Sequence, residues 1–469
     1  MSKEYQPLNH PSADQPSSPK YLFFVALTTV ISSFMFGFHG AVMNSPQNVI
    51  SKCFIDHKTP SNTTLETNSM GMPLCIPMST GTWSIVVSIF AVGALFGSIL
   101  GGVLVAKIGR KYSLMTTDLL LIIGSFMIAF SETSAVLITG RFIVGFAIGY
   151  SAVTVTLYIV EISPPKYRGT LGSLPQFFNG IGLVVSGILG MLLSTLYTWR
   201  TIFLLSLIPP VLQCFLLLAC PESPDFLKLN NRQQEYQIAC RKLGLPADNT
   251  AKESPKIEEK TLSVSQLLST ATLKRSLEIA IMLQIIQQFI GINAVVFYST
   301  SIFSAIYPDN APLATVLLCV VNVIMTGVSV SLMDKSGRKT LLLYSLYGIA
   351  GSLSLLIIAF VSNSTFLVLT SLISFMASFA LGTGPIPWLM MGELFPPIAS
   401  SAAVSIGCSI NWTGTMIVGF SFPFIQEGLG NFAFAPFAIV AYFSIFYAKR
   451  RVLETKGKSV QELISLLNS

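Results

Sequence analysis

The sequence predicts an all-α integral membrane protein whose twelve transmembrane helices form two six-helix halves. Charged residues make up 10% of the chain and hydrophobic residues 52%, with a mean hydropathy of +0.68, whereas soluble domains carry about 25% charged residues. Apolar runs of about 20 residues, the length that crosses a bilayer, recur along the chain, and motifs of its first half return in its second. The net charge of +7 lies in short loops between these runs, so no nucleic-acid partner is expected.

The apolar runs divide the chain into five regions. Residues 1–20 are rich in Pro and Ser and are predicted to be a disordered tail. A first half at 21–219, a helical linker at 220–274, a second half at 275–448 and a tail at 449–469 follow. Span 1 lacks a small-residue cleavage site, so it is predicted to cross the membrane rather than act as a signal peptide. Spans 1 to 12 are predicted at 21–43, 82–106, 113–131, 135–158, 172–195, 201–219, 276–303, 312–333, 340–361, 366–391, 401–425 and 432–448.

Basic residues are concentrated on one side of the predicted membrane. The positive-inside rule therefore places both termini and the linker in the cytosol. The long loop at 44–81 lies outside, where Asn62 begins a glycosylation sequon.

Cys53 and Cys75 of this loop form a disulfide or remain two thiols. The seven cysteines show no metal-ligand spacing, and neither a metal nor a cofactor is expected. The plasma membrane is the expected location, and the motif Tyr5-Gln-Pro-Leu8 leaves an endosomal or vacuolar membrane open.

Three motifs of the first half return in the same order in the second half. Gly109-Arg110-Lys111 returns 228 residues later, at 337–339. Glu161 and Glu222 each return 232 residues later, as Glu393 and Glu454. Two halves of the same topology place a binding site between them, near the middle of the membrane. This organisation predicts a carrier that works by alternating access.

Span 7 carries four amide side chains, namely Gln284, Gln287, Gln288 and Asn293. An amide in hydrocarbon is costly unless it is paired, so these side chains should face the protein interior or a wet cavity. On a continuous helix the glutamines share one broad face with Tyr298, and Asn293 lies off that face. Amides donate and accept hydrogen bonds, which suits an uncharged ligand rich in hydroxyl groups. Hydrogen bonds between helices are the alternative, and this stretch alone leaves both open.

Several further motifs accompany this stretch: Pro221-Glu222-Ser223-Pro224, Gly384-Pro385-Ile386-Pro387-Trp388, Asn411-Trp412 and Glu454-Thr455-Lys456-Gly457. Together with the amides of span 7 and the repeated Gly-Arg-Lys, this set resembles the sugar porter family of the major facilitator superfamily, above all its facilitative glucose transporters, from residue 21 to 457. The resemblance implies the major facilitator fold and a hexose bound between the halves. The sugar-binding residues that it implies are Gln176, Gln284, Gln287, Gln288, Asn293, Asn322, Trp388, Asn411 and Trp412.

Charged residues at the cytosolic ends of the spans are predicted to form a gate. Ion pairs there would hold the cytosolic side shut while the cavity opens outward, and the alternative is that these charges only set the orientation of the chain. In span 10, the Gly and Pro residues at 382–387 are predicted to interrupt the helix. The gate residues are Arg110, Lys111, Glu161 and Arg168 in the first half, and Arg338, Lys339 and Glu393 in the second.

Departures from the family pattern bear on the function. Proton-coupled relatives carry an aspartate where this chain has His39, so facilitative uniport is expected. An imidazole titrates near neutral pH, which leaves a proton-coupled sugar symporter open as the alternative. A non-transporting sugar sensor of the same fold is a further alternative. No nucleophile–base pair lies inside the spans, so no enzyme activity is expected.

Gln284-Ile285-Ile286 replaces the Gln-Leu-Ser of glucose-preferring members, and the preferred sugar stays open. The functional unit is expected to be a monomer in the lipid bilayer.

Overall fold

The computed structural model describes residues 19–53, 67, 71–164, 167–245, 262–304 and 310–468, and within them every predicted span is helical. The first half contains Pro19–Thr29 with Ile31–Ala41 as span 1, Thr80–Ile108, Arg110–Ala129, Ser134–Ile162, Arg168–Leu193, and Trp199–Leu205 with Ile208–Ala219 as span 6. The second half contains Lys274–Phe289 with Ile292–Ser304 as span 7, Ala311–Ser336, Arg338–Val361, Thr365–Ser378 with Ile386–Glu393 as span 10, Pro397–Leu429 and Ala435–Arg451.

Eleven of these spans are long and apolar enough to cross a membrane. The twelfth, Ala435–Arg451, has 17 residues, which at the helical rise is about 25 Å and still within the range of a spanning helix. Together they form a bundle of two six-helix halves, as the sequence predicts. We call the end of the bundle where span 1 begins and span 12 ends the terminal face, and the other end the opposite face.

The two halves contact each other mainly through four pairs of spans: span 2 with span 11, span 5 with span 8, span 4 with span 11, and span 1 with the second helix of span 7. Toward the terminal face, Ser405 of span 11 lies 3.5 Å from the Ser98 carbonyl oxygen of span 2. These contacts frame a space between the halves that spans 1, 5, 7, 8, 10 and 11 surround.

Span 7 is interrupted at Gly291, where φ is +90°. This left-handed backbone conformation favours glycine, and a Cβ at this position would lie 2.8 Å from the Phe437 ring. Gln284 and Tyr298 therefore lie on two helices rather than on one continuous helix. Both nevertheless face span 11, since Asn411 donates to Gln284 and Tyr298 donates to the Gly419 carbonyl.

Span 10 is interrupted as predicted. A π-helical turn at Phe379–Thr383 separates its two α-helices. Pro387 has no N–H, so the Thr383 carbonyl, four residues earlier, has no helical donor. The interruption presents backbone acceptors toward span 7.

Segments outside the membrane contain short helices. The loop at the opposite face includes Gln47–Lys52, and the linker includes Pro224–Leu229, Gln233–Leu243, Val264–Ser269 and a 3₁₀ turn at Ala271–Leu273. Span 1 begins two residues before residue 21, and span 12 extends to Arg451, inside the region predicted as a tail. That tail contains a further helix, Val460–Asn468. The rest of the predicted N-terminal tail lies outside the described residues.

Candidate substrate-binding cavity

A cavity lies between the two halves of the protein. Spans 1, 2 and 5 contribute its first-half wall, and spans 7, 8, 10 and 11 contribute its second-half wall. The volume of this cavity is about 100 Å³. No Asp, Glu, Lys, Arg or His belongs to the described lining. The cavity is thus polar without being charged, which suits an uncharged polar ligand.

The cavity brings together eight of the nine predicted binding residues. Gln284 is the exception, because it is fully buried behind the wall. Its Oε1 accepts a hydrogen bond from Asn411 Nδ2 at 2.7 Å, and its Nε2 lies 3.5 Å from the Met391 sulfur. Gln284 therefore positions Asn411 and does not itself reach the cavity. The eight lining residues are Gln176, Gln287, Gln288, Asn293, Asn322, Trp388, Asn411 and Trp412.

Gln287 connects three spans of the second half. Its Nε2 donates to the carbonyl oxygens of Thr383 at 2.9 Å and Gly384 at 2.7 Å, which lie at the interruption of span 10. Its Oε1 accepts from Asn411 Nδ2 at 2.7 Å. Both N–H groups of the amide are thus in use. Gln287 holds spans 7, 10 and 11 in register.

Gln288 and Asn293 form a second cluster, on either side of the break in span 7. Asn293 Nδ2 donates to Gln288 Oε1, and the Thr415 hydroxyl of span 11 lies 3.2 Å from each of these two atoms. Gln288 Nε2 and Asn293 Oδ1 have no hydrogen-bond partner among the described residues. These two groups are available to a ligand.

The first-half wall differs from this network. Gln176 and Asn179 both line the cavity from span 5, and neither amide has a hydrogen-bond partner in the described part of the chain. Three residues apart on a helix, they lie on the same face. Two wall atoms of the second half, Asn322 Oδ1 and Trp412 Nε1, are buried and unpartnered. Buried polar atoms without a partner are costly, so a ligand with hydroxyl groups would relieve that cost.

Trp412 also packs between the halves. Its ring lies 5.0 Å from that of Phe36 and 5.9 Å from that of Phe90, measured between centroids. The two aromatic partners belong to spans 1 and 2. Trp412 therefore has two roles, since it packs against the first half while its N–H stays unpaired at the cavity.

Comparison with protein-family models matches residues 25–466 to the sugar (and other) transporter family. The chain belongs to this family. It is 33% identical over 462 residues to facilitated glucose transporter member 4 of Mus musculus, covering 94% of this chain and 90% of that protein. It is 35% identical over 463 residues to facilitated glucose transporter member 3 of Ovis aries, covering 94% and 92%.

Solved structures with the same fold include the proton:xylose symporter XylE, a major facilitator superfamily protein, bound to 6-bromo-6-deoxy-D-glucose. That structure has a TM-score of 0.77 at 24% identity and covers 96% of this chain and 99% of that chain. XylE from E. coli in a partially occluded inward-open conformation matches with a TM-score of 0.75 at 24% identity, covering 94% and 100%. This chain is accordingly a multi-pass membrane transporter and not an enzyme.

His39, which the sequence leaves open as a proton site, does not line the cavity. Its Nε2 lies 3.3 Å from the Ser125 hydroxyl of span 3, and its Nδ1 is buried without a partner. The backbone oxygen of His39 accepts from Arg141 Nη1 at 3.0 Å. Arg141 is fully buried with its guanidinium 4.7 Å from the Phe90 ring centroid, and it pairs with no carboxylate among the described residues. His39 thus lies inside the first half beside a cation.

The predicted gate residues of the first half form a cluster at the terminal face. Arg110 Nη2 lies 2.5 Å from Glu161 Oε1, and the Ser223 hydroxyl donates to Glu161 Oε2 at 2.5 Å. The Glu222 carboxylate accepts the backbone N–H groups of Arg110 at 2.8 Å and Lys111 at 3.2 Å. An anion at a helix N-terminus satisfies free donors and the helix dipole. Glu222 therefore caps span 3.

The second half repeats this arrangement. Arg338 pairs with Glu393 at 2.9 Å, Thr455 donates to Glu393, and Glu454 accepts the backbone N–H groups of Arg338 at 2.8 Å and Lys339 at 3.1 Å. The preceding glycines have φ of +89° at Gly109 and +83° at Gly337. A Cβ would lie 2.4 Å from Glu222 Oε2 at Gly109, and 2.5 Å from Glu454 Oε2 at Gly337. The repeated motif thus needs its glycine for the carboxylate to approach.

Both clusters join helices of the same half, and the described residues contain no ion pair between the halves. The lysines behave alike, since Lys111 Nζ donates to the Leu218 and Cys220 carbonyls, and Lys339 Nζ to that of Lys449. The contacts thus hold each half together rather than one half against the other. The side chain of Arg168 lies outside the described part.

Sequence reasoning missed several polar residues. Asn179 and Thr415 belong to no motif, and in the sequence they look like ordinary polar residues of apolar spans. For Glu222 and Glu454, the only sign of a shared role as helix caps is their spacing of 232 residues. Asn44 is a third case, because it connects the halves toward the opposite face. Its Nδ2 donates to the Val296 carbonyl at 2.9 Å and the Ser299 hydroxyl at 2.8 Å.

The loop after span 1 is fastened at the opposite face. The structure joins Cys53 and Cys75 in a disulfide, and Trp199 Nε1 donates to the Leu74 carbonyl at 2.8 Å. This loop is thereby held against span 6. The predicted glycosylation site Asn62 lies outside the described residues.

Proposed function

We propose that this sugar transporter carries hexoses by facilitative uniport, with the sugar bound in the cavity between the halves. The observation that carries the proposal is an uncharged cavity lined by amide and indole residues, several of whose polar atoms have no hydrogen-bond partner among the described residues. A sugar gives up many hydrogen bonds to water on entry, and a site that leaves its hydroxyl groups unpaired would reject it. Neutral donors and acceptors replace those bonds without a charge that would favour an ion.

We propose that the transporter works by alternating access, in which each half moves largely as a unit and the interrupted spans 7 and 10 of the second half bend. Each terminal-face cluster ties the helices of its own half together. The breaks in spans 7 and 10 lie beside the cavity, where a small change in backbone angles moves one end of a helix relative to the other. At the opposite face, Asn44 bridges span 1 and the second helix of span 7. We propose that this bridge breaks when the cavity opens toward that face.

The test is uptake of labelled glucose, fructose and galactose in cells that lack their own hexose transporters. The wild-type chain should show saturable uptake of at least one sugar. Gln288→Ala should raise the KM about ten-fold or more, because it removes a free donor and the partner of Asn293. Gln426→Ala is the matched control, since this exposed glutamine of span 11 does not line the cavity.

Two outcomes would contradict the proposal. If cells that express the wild-type chain bind sugar but take up none of it, the protein is a non-transporting sensor of the same fold. Unimpaired transport by Gln288→Ala would refute the assignment of the binding cavity.

Proton-coupled symport through His39 is the second candidate, because this buried histidine has an unpartnered ring nitrogen. Two observations favour uniport. The described cavity lining contains no carboxylate, and Arg141 already places a positive charge beside His39, which a protonated imidazole would meet as a like charge. Uptake under an imposed pH gradient separates the two mechanisms. Uniport predicts equilibration only, whereas uphill accumulation that is lost in His39→Asn would establish symport.

We further propose that the terminal face is cytosolic and that the protein resides in the plasma membrane. The basic clusters at the terminal face support this orientation, and the disulfide at the opposite face suits an oxidising compartment. An epitope after residue 469 should be inaccessible in intact cells, and enzymatic deglycosylation should shift the wild-type protein but not Asn62→Gln. If the protein instead resides in an endosomal or vacuolar membrane, the epitope-labelled protein should be found on membranes inside the cell.

A further inference from the structure

We propose that Asn179 is a further specificity-determining residue, which reads a sugar hydroxyl group from the first-half side of the cavity. This inference rests on the proposed function. Asn179 lines the cavity beside Gln176, is partly exposed to it, and carries no hydrogen bond to any described residue. An amide on a membrane-spanning helix with nothing to bond is expensive. A ligand or cavity water is therefore the partner that its position allows.

The backbone around Asn179 fixes where its side chain can reach. The Asn179 carbonyl is pressed against span 1, since a Cβ at Gly37 would lie 1.9 Å from this oxygen. On the adjacent residue, a Cβ at Gly180 would lie 3.3 Å from Asn322 Oδ1 of span 8. Span 5 is thus held between spans 1 and 8 at this level. The unpartnered Asn322 oxygen lies directly beside the segment that carries Asn179.

Gln176, Asn179 and Asn322 together form what we call the amide patch. Gln176 and Asn179 each offer donors and an acceptor, and Asn322 adds the acceptor Oδ1, while its Nδ2 contacts the Met376 sulfur at 3.3 Å. A patch that offers both donors and acceptors suits hydroxyl groups, which can do both. Because no Lys or Arg belongs to the described cavity lining, the ligand class that fits is a neutral polyol presenting neighbouring hydroxyl groups, rather than a sugar that carries a carboxylate.

The contrast with Gln287 excludes a purely structural role for Asn179. Gln287 uses both its N–H groups and its oxygen on protein partners, as an amide that joins helices should. Asn179 uses none. Its loss should therefore alter ligand recognition while leaving the packing of the spans in place.

The experiment measures sugar binding to the purified full-length protein by quenching of its tryptophan fluorescence, since Trp388 and Trp412 both line the cavity. The ligands are the transported hexose and its monodeoxy analogues. Asn179→Leu, of similar size, is compared with the wild type, and Asn179→Ala replaces it if the leucine variant melts at a lower temperature. Ile188→Met, at an exposed residue of the same span outside the cavity lining, controls for a change of side chain elsewhere in span 5.

In the wild type, removing the hydroxyl group that Asn179 reads should weaken binding about five-fold, the effect of one neutral hydrogen bond. Asn179→Leu should bind the parent hexose about five-fold more weakly and should no longer distinguish that analogue from the parent. Ile188→Met should keep the wild-type order of analogues. An unchanged order of analogues in Asn179→Leu and Asn179→Ala would overturn this inference while leaving the proposed function intact. A wild-type protein that binds none of the sugars would overturn both.

Discussion

The two walls of the cavity are built differently. In the second half, Gln287 bonds to two carbonyl oxygens of span 10 and to Asn411, and Gln288 bonds to Asn293. In the first half, Gln176 and Asn179 bond to no described residue. A wall whose polar groups are held by one another is ordered before a ligand arrives, and this lowers the entropic cost of binding. In the proposed mechanism, the free amides of the first half would adapt to the sugar as the halves close.

Unlike the two cavity walls, the two terminal-face clusters are built alike, because the second half repeats almost every charged group of the first. Arg110, Glu161 and Glu222 correspond to Arg338, Glu393 and Glu454. Each cluster caps a helix and pairs an arginine, which both halves need for the same structural reason. The cavity walls face one asymmetric ligand from two sides. The difference teaches that the duplication preserved architecture at the terminal face and allowed the binding surface to diverge.

The largest effect is expected for Gln287→Leu. This change leaves the Thr383 and Gly384 carbonyls without the donor that they have in the structure, and an unsatisfied buried polar group costs about 1–3 kcal/mol. We expect loss of sugar uptake together with a melting temperature lower by several degrees, measured on detergent-purified protein. A wild-type melting temperature would show that the second-half wall is not a stabilising network.

The next effect distinguishes the two terminal-face clusters. The side chains of Arg110 and Glu161 are 9% and 10% exposed, whereas those of Arg338 and Glu393 are 13% and 26% exposed. Breaking a buried pair costs about 3–5 kcal/mol, and more exposed pairs cost less. Glu161→Gln should therefore lower the melting temperature more than Glu393→Gln. Equal shifts would mean that the difference in burial has no energetic consequence.

A smaller effect, on binding only, is expected for Gln176→Leu. The amide has no protein partner to lose, so the melting temperature should stay at the wild-type value. The KM for the transported hexose should rise about five-fold, the effect of one hydrogen bond to the sugar. A large drop in melting temperature would contradict the division between a networked wall and a free wall.

The smallest effect is expected for Gln284→Leu. Gln284 contacts the cavity only through Asn411, and Asn411 keeps its hydrogen bond to Gln287 in this variant. We expect the KM to rise about two-fold, less than for a lost direct hydrogen bond. An effect as large as that of Gln176→Leu would mean that Gln284 reaches the sugar in another conformation of the transporter.

The sequence by itself determined the membrane class, the positions of the twelve helices and the two-fold repeat. In hydrocarbon each spanning segment must satisfy its own backbone, which requires apolar helical runs of defined length that composition reveals directly. The motifs also located eight residues of the cavity lining. They did so without indicating which of these residues are free to bind a ligand.

Only the tertiary structure decided how the amides are used. Gln284, Gln287 and Gln288 look equivalent by helical periodicity, yet Gln284 lies behind the wall and Gln287 bonds to carbonyls that the interruption of span 10 leaves free. The break at Gly291 then brings Asn293 back to Gln288. The physical reason is that a hydrogen bond forms over about 3 Å between atoms of different helices. Periodicity along one helix says which face a residue occupies, whereas the partner depends on how neighbouring helices bend and pack.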